Sequence, residues 1–275
     1  MASIQFELPL GNAVISFEMD DCDGLDYIVA QARERGLKHY EEPYPTLIAA
    51  LIKALHGDMF DVGANTGLYS LLVACAQAGV RVHAFEPLPS IADRLEHNLI
   101  LNSGIANKIS LHRLALSDSC GVATFFQTIN PYGLLTTSSS LDEAFSTEHG
   151  ETRKHRVRTT TLDAFVLAQQ ITRLAFIKID VEGHERAVLA GSHDAVARLR
   201  PVIGIELLGG ADYKYLRHFL KSHTYLDCAT APGGITFSGE AKFVAEGWNH
   251  LLVPVEQRAL IEDLARSAGL AVNGE

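Results

Sequence analysis

The chain has 275 residues, 47% hydrophobic and 20% charged, enough to bury the core of one large domain or of one domain with a small appendage. Its net charge of −10, from 33 acids and 23 bases, argues against a broad nucleic-acid surface, which needs a basic footprint. Four scattered cysteines, Cys22, Cys75, Cys120 and Cys228, form no C-x-x-C, which argues against a disulfide framework or zinc site and for reduced thiols in the cytoplasm.

The start, MASIQFELPLGNAVISFEMDD, lacks a basic stretch ahead of a long apolar run, so it is not read as a secretory signal. No run reaches ~18 apolar residues, so no membrane-spanning helix is expected. Phe6 to Met19 reads as two strands around the turn Pro9-Leu10-Gly11-Asn12. Helices follow over Leu25–Arg35, stopped by Gly36, and Thr46–Leu55, with the breakers Glu41-Glu42-Pro43-Tyr44-Pro45 between. Residues 1–57 are therefore an N-terminal cap or lid, and 58–275 the main domain.

From Met59 the chain alternates: strands over 59–62, 81–85 and 109–114, helices over 67–78 and 89–102, the latter capped by Ser90. Such alternation implies parallel βαβ units in a doubly wound α/β sheet. An insert, about 118–161, interrupts it as a β-hairpin from Cys120–Thr128 and Arg156–Leu162. The hairpin's loop carries Asn130-Pro131-Tyr132-Gly133 and a Thr136–Ser140 run. Then come a helix at 162–171, a strand at 176–181, a helix at 185–190 and a strand at 202–207. A helix at 213–222, strands at 225–229 and 250–254, a helix at 257–267 and a loose tail at 273–275 complete the reading.

The first turn of that alternation is Asp61-Val62-Gly63-Ala64-Asn65-Thr66-Gly67. A dinucleotide fingerprint needs G-x-G-x-x-G, and a triphosphate loop needs Gly-Lys-Ser/Thr; neither is present. Asp61 would repel phosphate and attract an ammonium or sulfonium. Glu86, followed by Pro87, sits at the next strand tip about 20 residues on, where a carboxylate accepts both ribose hydroxyls. These features describe S-adenosylmethionine, with the methionyl end at the glycine turn and the ribose at Glu86. Ser117 or Asp118, at the third strand's end, is placed to bond the adenine amine or to cap a turn.

The fourth strand ends in Ile177-Lys178-Ile179-Asp180-Val181-Glu182-Gly183-His184-Glu185. Asp180 and Glu182 share one side of an extended chain. Methyl transfer needs sulfur, methyl and acceptor in line and a proton removed from an alcohol. Asp180 is assigned to positioning and Glu182 to acceptor contact or base. His184 is a second base candidate or a solvent-facing residue. Glu185 is as well suited to cap the following helix, and Glu206 to contact the acceptor or pair with a base. Twelve histidines show no ligand spacing, so no metal is expected.

The chain resembles the FkbM-type family of S-adenosylmethionine-dependent methyltransferases. The resemblance is carried by FDVGANTGLYSLL (60–72), AFEPLPS (84–90), LALSD (114–118), SSSL (138–141), IKIDVEGHERAVLAG (177–191) and, more loosely, WNHLLVP (248–254). It implies a class I methyltransferase fold, a mostly parallel seven-stranded sheet with its last strand antiparallel. It also implies O-methylation of a hydroxyl on a small molecule, natural product or sugar/glycan. It carries the cofactor turn onto Asp61–Gly67, the ribose acid onto Glu86 and the fourth-strand acids onto Asp180, Glu182 and Glu185. Expected partners are the hydroxyl-bearing acceptor, neither nucleic acid nor membrane, and a homodimer among the open assembly states. The alternatives are a non-catalytic S-adenosylmethionine sensor, a nucleic-acid methyltransferase using the basic run Arg153–Arg158, and a nicotinamide oxidoreductase.

Overall fold

The computed structural model describes residues 3–135 and 137–274; Thr136, which opens the Thr/Ser run, and Glu275 of the tail lie outside the described residues. A two-stranded hairpin comes first, β1 (Ser3–Leu10) and β2 (Ala13–Asp20), joined at Gly11-Asn12. The core strands follow: β3 (Asp58–Val62), β4 (Val82–Phe85) and β5 (Ile109–His112). The short β6 (Ala115–Leu116) and the insert strands β7 (Gly121–Thr128) and β8 (Thr152–Thr160) form a separate three-stranded sheet. The remaining strands are β9 (Leu174–Ile179), β10 (Val202–Glu206), β11 (Tyr225–Ala231), β12 (Gly234–Ser238), β13 (Asn249–Pro254) and β14 (Ala271–Asn273).

The main sheet has the order β14-β12-β11-β13-β10-β9-β3-β4-β5. From β5 to β10 neighbours are parallel, and β13 runs antiparallel to both β10 and β11. The α/β class is as expected, but the expected count of seven strands is corrected to nine. The turn at Pro232-Gly233 does not end the sheet: β12 pairs back on β11, and β14 then pairs with β12. The residues read as a loose tail therefore begin inside a strand, with Asn273 opposite Thr236.

The sheet is apolar on both faces because its strands alternate between two clusters. Met59, Val82, Phe176 and Val202 face one cluster; Phe60, Phe85, Ile177 and Ile203 face the other. The helix Leu68–Ala76 is buried on nearly every side and, Ser70 apart, packs its side chains into the first cluster, where Leu68, Leu71 and Leu72 each contribute about 1.5–3 kcal/mol. The N-terminal segment packs on this same face. Phe6, Leu8, Ile15 and Phe17 of the hairpin and Leu47, Ile48 and Leu51 of the helix Tyr44–Ala54 belong to one cluster with the sheet.

Several boundaries differ from the sequence reading for local reasons. The helix Pro89–Leu101 is entered through Leu88, with Pro89 in its first turn, so Ser90 is not its cap. The reading 109–114 splits into β5 and β6, and β6 joins the insert sheet. Two short helices go beyond the sequence expectation: Glu143–Glu148, capped by Asp142 inside the insert, and His193–Leu199. None of the helices in the described residues is long and apolar enough to cross a membrane.

Candidate active site

At the carboxyl ends of β3, β4, β9 and β10 the chain encloses a cavity of about 460 Å³, a size that suits a nucleoside with a side chain. Its first wall is backbone. The amides of Gly63 and Ala64 both donate to the carbonyl of Phe85, folding the turn over the tip of β4. Gly63 has φ +81, and a Cβ there would stand 1.8 Å from the Asp180 carbonyl oxygen, so only glycine lets the tips of β3 and β9 meet. Glu86 is buried and held at both oxygens, by the Asn65 amide at 3.1 Å and the Leu88 amide at 2.9 Å. Each oxygen keeps a lone pair, which a ribose diol can use. Burial pushes Glu86 up to about 7, the two amides opposing it.

Beside this wall runs a polar row set by strand register. Asp61 of β3 stands opposite Lys178 of β9, and Lys178 opposite Gly204 of β10. These positions continue, toward the strand tips, the apolar row Met59–Phe176–Val202. The Lys178 ammonium is buried, 2.7 Å from Asp180 Oδ2 and 4.7 Å from the centre of the Tyr69 ring. Burial opposes its charge, but Asp180, Asp61 and Glu41 hold it protonated, above the ordinary lysine range. Asp61 is buried and accepts from Ser70 Oγ at 2.6 Å; burial raises its carboxyl while Lys178 lowers it. Gly204 is required by Tyr44, whose hydroxyl would stand 1.9 Å from a Cβ there.

The far end of the cavity is acidic. Asp180, Glu182 and Glu206 each bring a carboxylate oxygen within 4.8 Å of the other two, an all-oxygen donor set of the kind a hard divalent cation accepts. Burial, then repulsion from Asp180, raises both Glu182 and Glu206. Glu182 has φ +55, a left-handed conformation uncommon for a side-chain-bearing residue, followed by Gly183 at φ +91. Glu185 faces the turn: its Oε1 accepts from the amides of Val181 and Gly183, and it does not line the cavity.

Of the residues singled out in the sequence, Asp61, Gly63, Ala64, Asn65, Glu86, Pro87, Asp180, Glu182, His184 and Glu206 line one cavity. Thr66, Gly67, Ser117 and Asp118 do not. The Thr66 carbonyl takes a bond from Asn98, and Gly67 begins the helix Leu68–Ala76. Ser117 stands behind His184, its Oγ 2.9 Å from His184 Nε2, so the imidazole is fixed rather than solvent-facing. Burial lowers the His184 pKa, which favours the neutral ring.

Sequence reasoning missed a second wall. Tyr27, Gln31, Arg35, Tyr40 and Glu41 come from the N-terminal segment, and Trp248 and Asn249 from the entry to β13. Glu41 sat in a stretch read only for its prolines, and nothing local connects it to a site 139 residues later at Asp180. The insert adds Phe125, Thr137–Ser139, Leu141, Phe145 and His149. Its loop is pinned by Ser140 Oγ donating to the Val181 carbonyl at 2.9 Å. The basic run 153–158 lies on β8, and none of it lines the cavity.

An α/β sheet whose strand tips hold a glycine turn, the buried acid Glu86 and a cluster of carboxylates in one cavity has the layout of a nucleoside-cofactor site. The FkbM methyltransferase domain model matches residues 61–226, and the chain belongs to that family, whose cofactor is S-adenosylmethionine. The chain is 31% identical over 170 residues to the 31-O-demethyl-FK506 methyltransferase FkbM of Streptomyces tacrolimicus, covering 54% of this chain and 64% of that one. It is 30% identical over 156 residues to the hexuronic acid methyltransferase AglP of Haloferax volcanii, covering 57% and 58%. It is 30% identical over 174 residues to the AMB antimetabolite synthetase AmbE of Pseudomonas aeruginosa, covering 53% and 8%. The chain thus spans less than two thirds of each of these relatives. Among solved structures, methyltransferase FkbM of Methylobacillus flagellatus shares 16% identity at a TM-score of 0.47, covering 71% of this chain and 43% of that one.

Proposed function

We propose that the chain transfers a methyl group from S-adenosylmethionine to a hydroxyl of a small molecule, natural product or sugar. The observation that carries this reading is the convergence of Glu86, Asp61 and the Asp180–Glu182–Glu206 group on one cavity. The glycine turn takes the methionyl end and Glu86 the ribose. Asp180, oriented by Lys178, faces the sulfonium, and Glu182, lining the same cavity, takes the acceptor's proton in its ionised form. His184, bonded to Ser117, positions the nucleoside end rather than acting as base. Residues 1–57 act as a cap that completes the acceptor end, and the insert about 118–161 closes the nucleoside end. The relative FkbM is named for 31-O-demethyl-FK506, an acceptor methylated at oxygen, which supports this reading.

The test is transfer of labelled methyl from S-adenosylmethionine to a panel of hydroxylated acceptors. Glu182→Gln is expected to lower kcat by about 10²–10⁴ while cofactor affinity is kept. Cofactor binding without transfer to any acceptor would favour the sensor reading.

A further inference from the structure

We propose that Glu41 is a specificity-determining residue that selects acceptors carrying a hydrogen-bond donor, a second hydroxyl or an ammonium, next to the methylated hydroxyl. The inference rests on the methyl-transfer reading and names the acceptor class of that same cavity. Glu41 precedes the segment matched by the family model, so it stands outside the shared cofactor machinery, yet it lines the cavity. Its backbone is left-handed, φ +50, and its carbonyl accepts from the Tyr44 amide that opens the next helix. That conformation turns the side chain back onto the strand tips.

The carboxylate is held from three elements. Tyr69 Oη donates to Glu41 Oε2 at 2.5 Å, Asn249 Nδ2 reaches the same oxygen at 3.4 Å, and Tyr40 lies against the group. A carboxylate accepts about four hydrogens, so these neighbours leave at least one lone pair for the cavity. Glu41 lines the cavity together with Lys178 and Asp180, the group assigned to the sulfonium; burial raises its carboxyl and the Lys178 ammonium opposes that. A ligand hydroxyl or ammonium completes Glu41. An acceptor without such a donor leaves a largely buried carboxylate short of a partner, and sites built to bond a polar group reject analogues lacking it strongly. A carboxylate-bearing acceptor would also meet Glu182 and Glu206. Trp248 and Tyr27, 51% and 46% exposed, offer ring faces at the same cavity for the apolar side of a saturated ring.

The experiment loads the full chain with S-adenosylhomocysteine and titrates four probes by calorimetry: 2-aminocyclohexanol, cyclohexane-1,2-diol, cyclohexanol and 2-hydroxycyclohexanecarboxylate. The amino alcohol and the diol are expected to bind at least about tenfold more tightly than the other two. The order of that favoured pair tells ammonium from hydroxyl. Glu41→Gln is expected to bring all four within about threefold of one another with S-adenosylhomocysteine affinity unchanged. Asn249→Ala, which leaves Glu41 Oε2 with one donor fewer, should widen the preference. Equal affinities in the wild type, preference for the hydroxy acid, binding of no probe, or a uniform loss across all four in Glu41→Gln overturns the proposal. Failure of S-adenosylhomocysteine itself to bind would instead overturn the methyl-transfer reading.

Discussion

The two walls of the cavity are built by different means. The cofactor wall is mostly backbone at strand tips: the Gly63 and Ala64 amides on Phe85, and the Asn65 and Leu88 amides on Glu86. The acceptor wall is side chain, gathered from the N-terminal segment, the tips of β9 and β10 and the entry to β13. A backbone wall tolerates little change and fixes one ligand. A side-chain wall can be rewritten residue by residue, so it is where the proposed reading puts acceptor choice.

The largest expected effect breaks the backbone wall. Gly63→Val forces a Cβ into the Asp180 carbonyl at a positive φ, and should abolish cofactor binding and lower stability by about 4 kcal/mol or more, read by calorimetry and by urea unfolding. Next is the polar row between the walls. Lys178→Met strips the buried ammonium from Asp180 and Asp61; because Asp180 is partly exposed, about 2–3 kcal/mol of stability should be lost. A loss below about 0.5 kcal/mol would remove Lys178 from the account.

The third prediction follows from Glu86, raised from 4.5 to about 7. An acid with a raised folded-state pKa is protonated in the folded chain, so its contribution is full below the unfolded value and lost as pH climbs to the folded one. The ligand-free chain should therefore lose stability between pH 4.5 and about 7, by about 3 kcal/mol from this group at most. Ribose hydroxyls donate only to the ionised form in full. Cofactor affinity should accordingly rise about tenfold from roughly pH 6 to 8, and Glu86→Gln should flatten both curves. The smallest effect lies outside both walls: Arg156→Ala on β8 should change stability by less than about 0.5 kcal/mol and leave cofactor affinity unaltered.

The difference between the walls also explains what was legible in the sequence. Asp61, Gly63 and Glu86 are readable because a βαβ unit puts strand-tip residues at a ligand by local geometry alone. The Gly11-Asn12 hairpin and the helix Glu185–Ala190 were readable for similarly local reasons. Lys178 was visible only as an interruption of an apolar strand; its role needs the register that sets Asp61 beside it. Glu41, Tyr40 and Asn249 converge only after the N-terminal segment packs on the sheet, a long-range event with no periodic signature. The strand β14 was missed because it is three residues long at the sheet edge, and β12 because its alternation, Ile235 and Phe237 inside with Thr236 outside, spans only five residues behind a turn.

The central claim is that the glycine turn and Glu86 together hold an adenosyl cofactor. Calorimetric titration of the wild-type chain and Glu86→Ala with S-adenosylhomocysteine tests it most directly. The account predicts micromolar binding in the wild type and a loss of about 10²–10⁴-fold in the variant, the value of two charge-assisted hydrogen bonds. No binding by the wild type at millimolar ligand, or equal affinity in the two proteins, would contradict it.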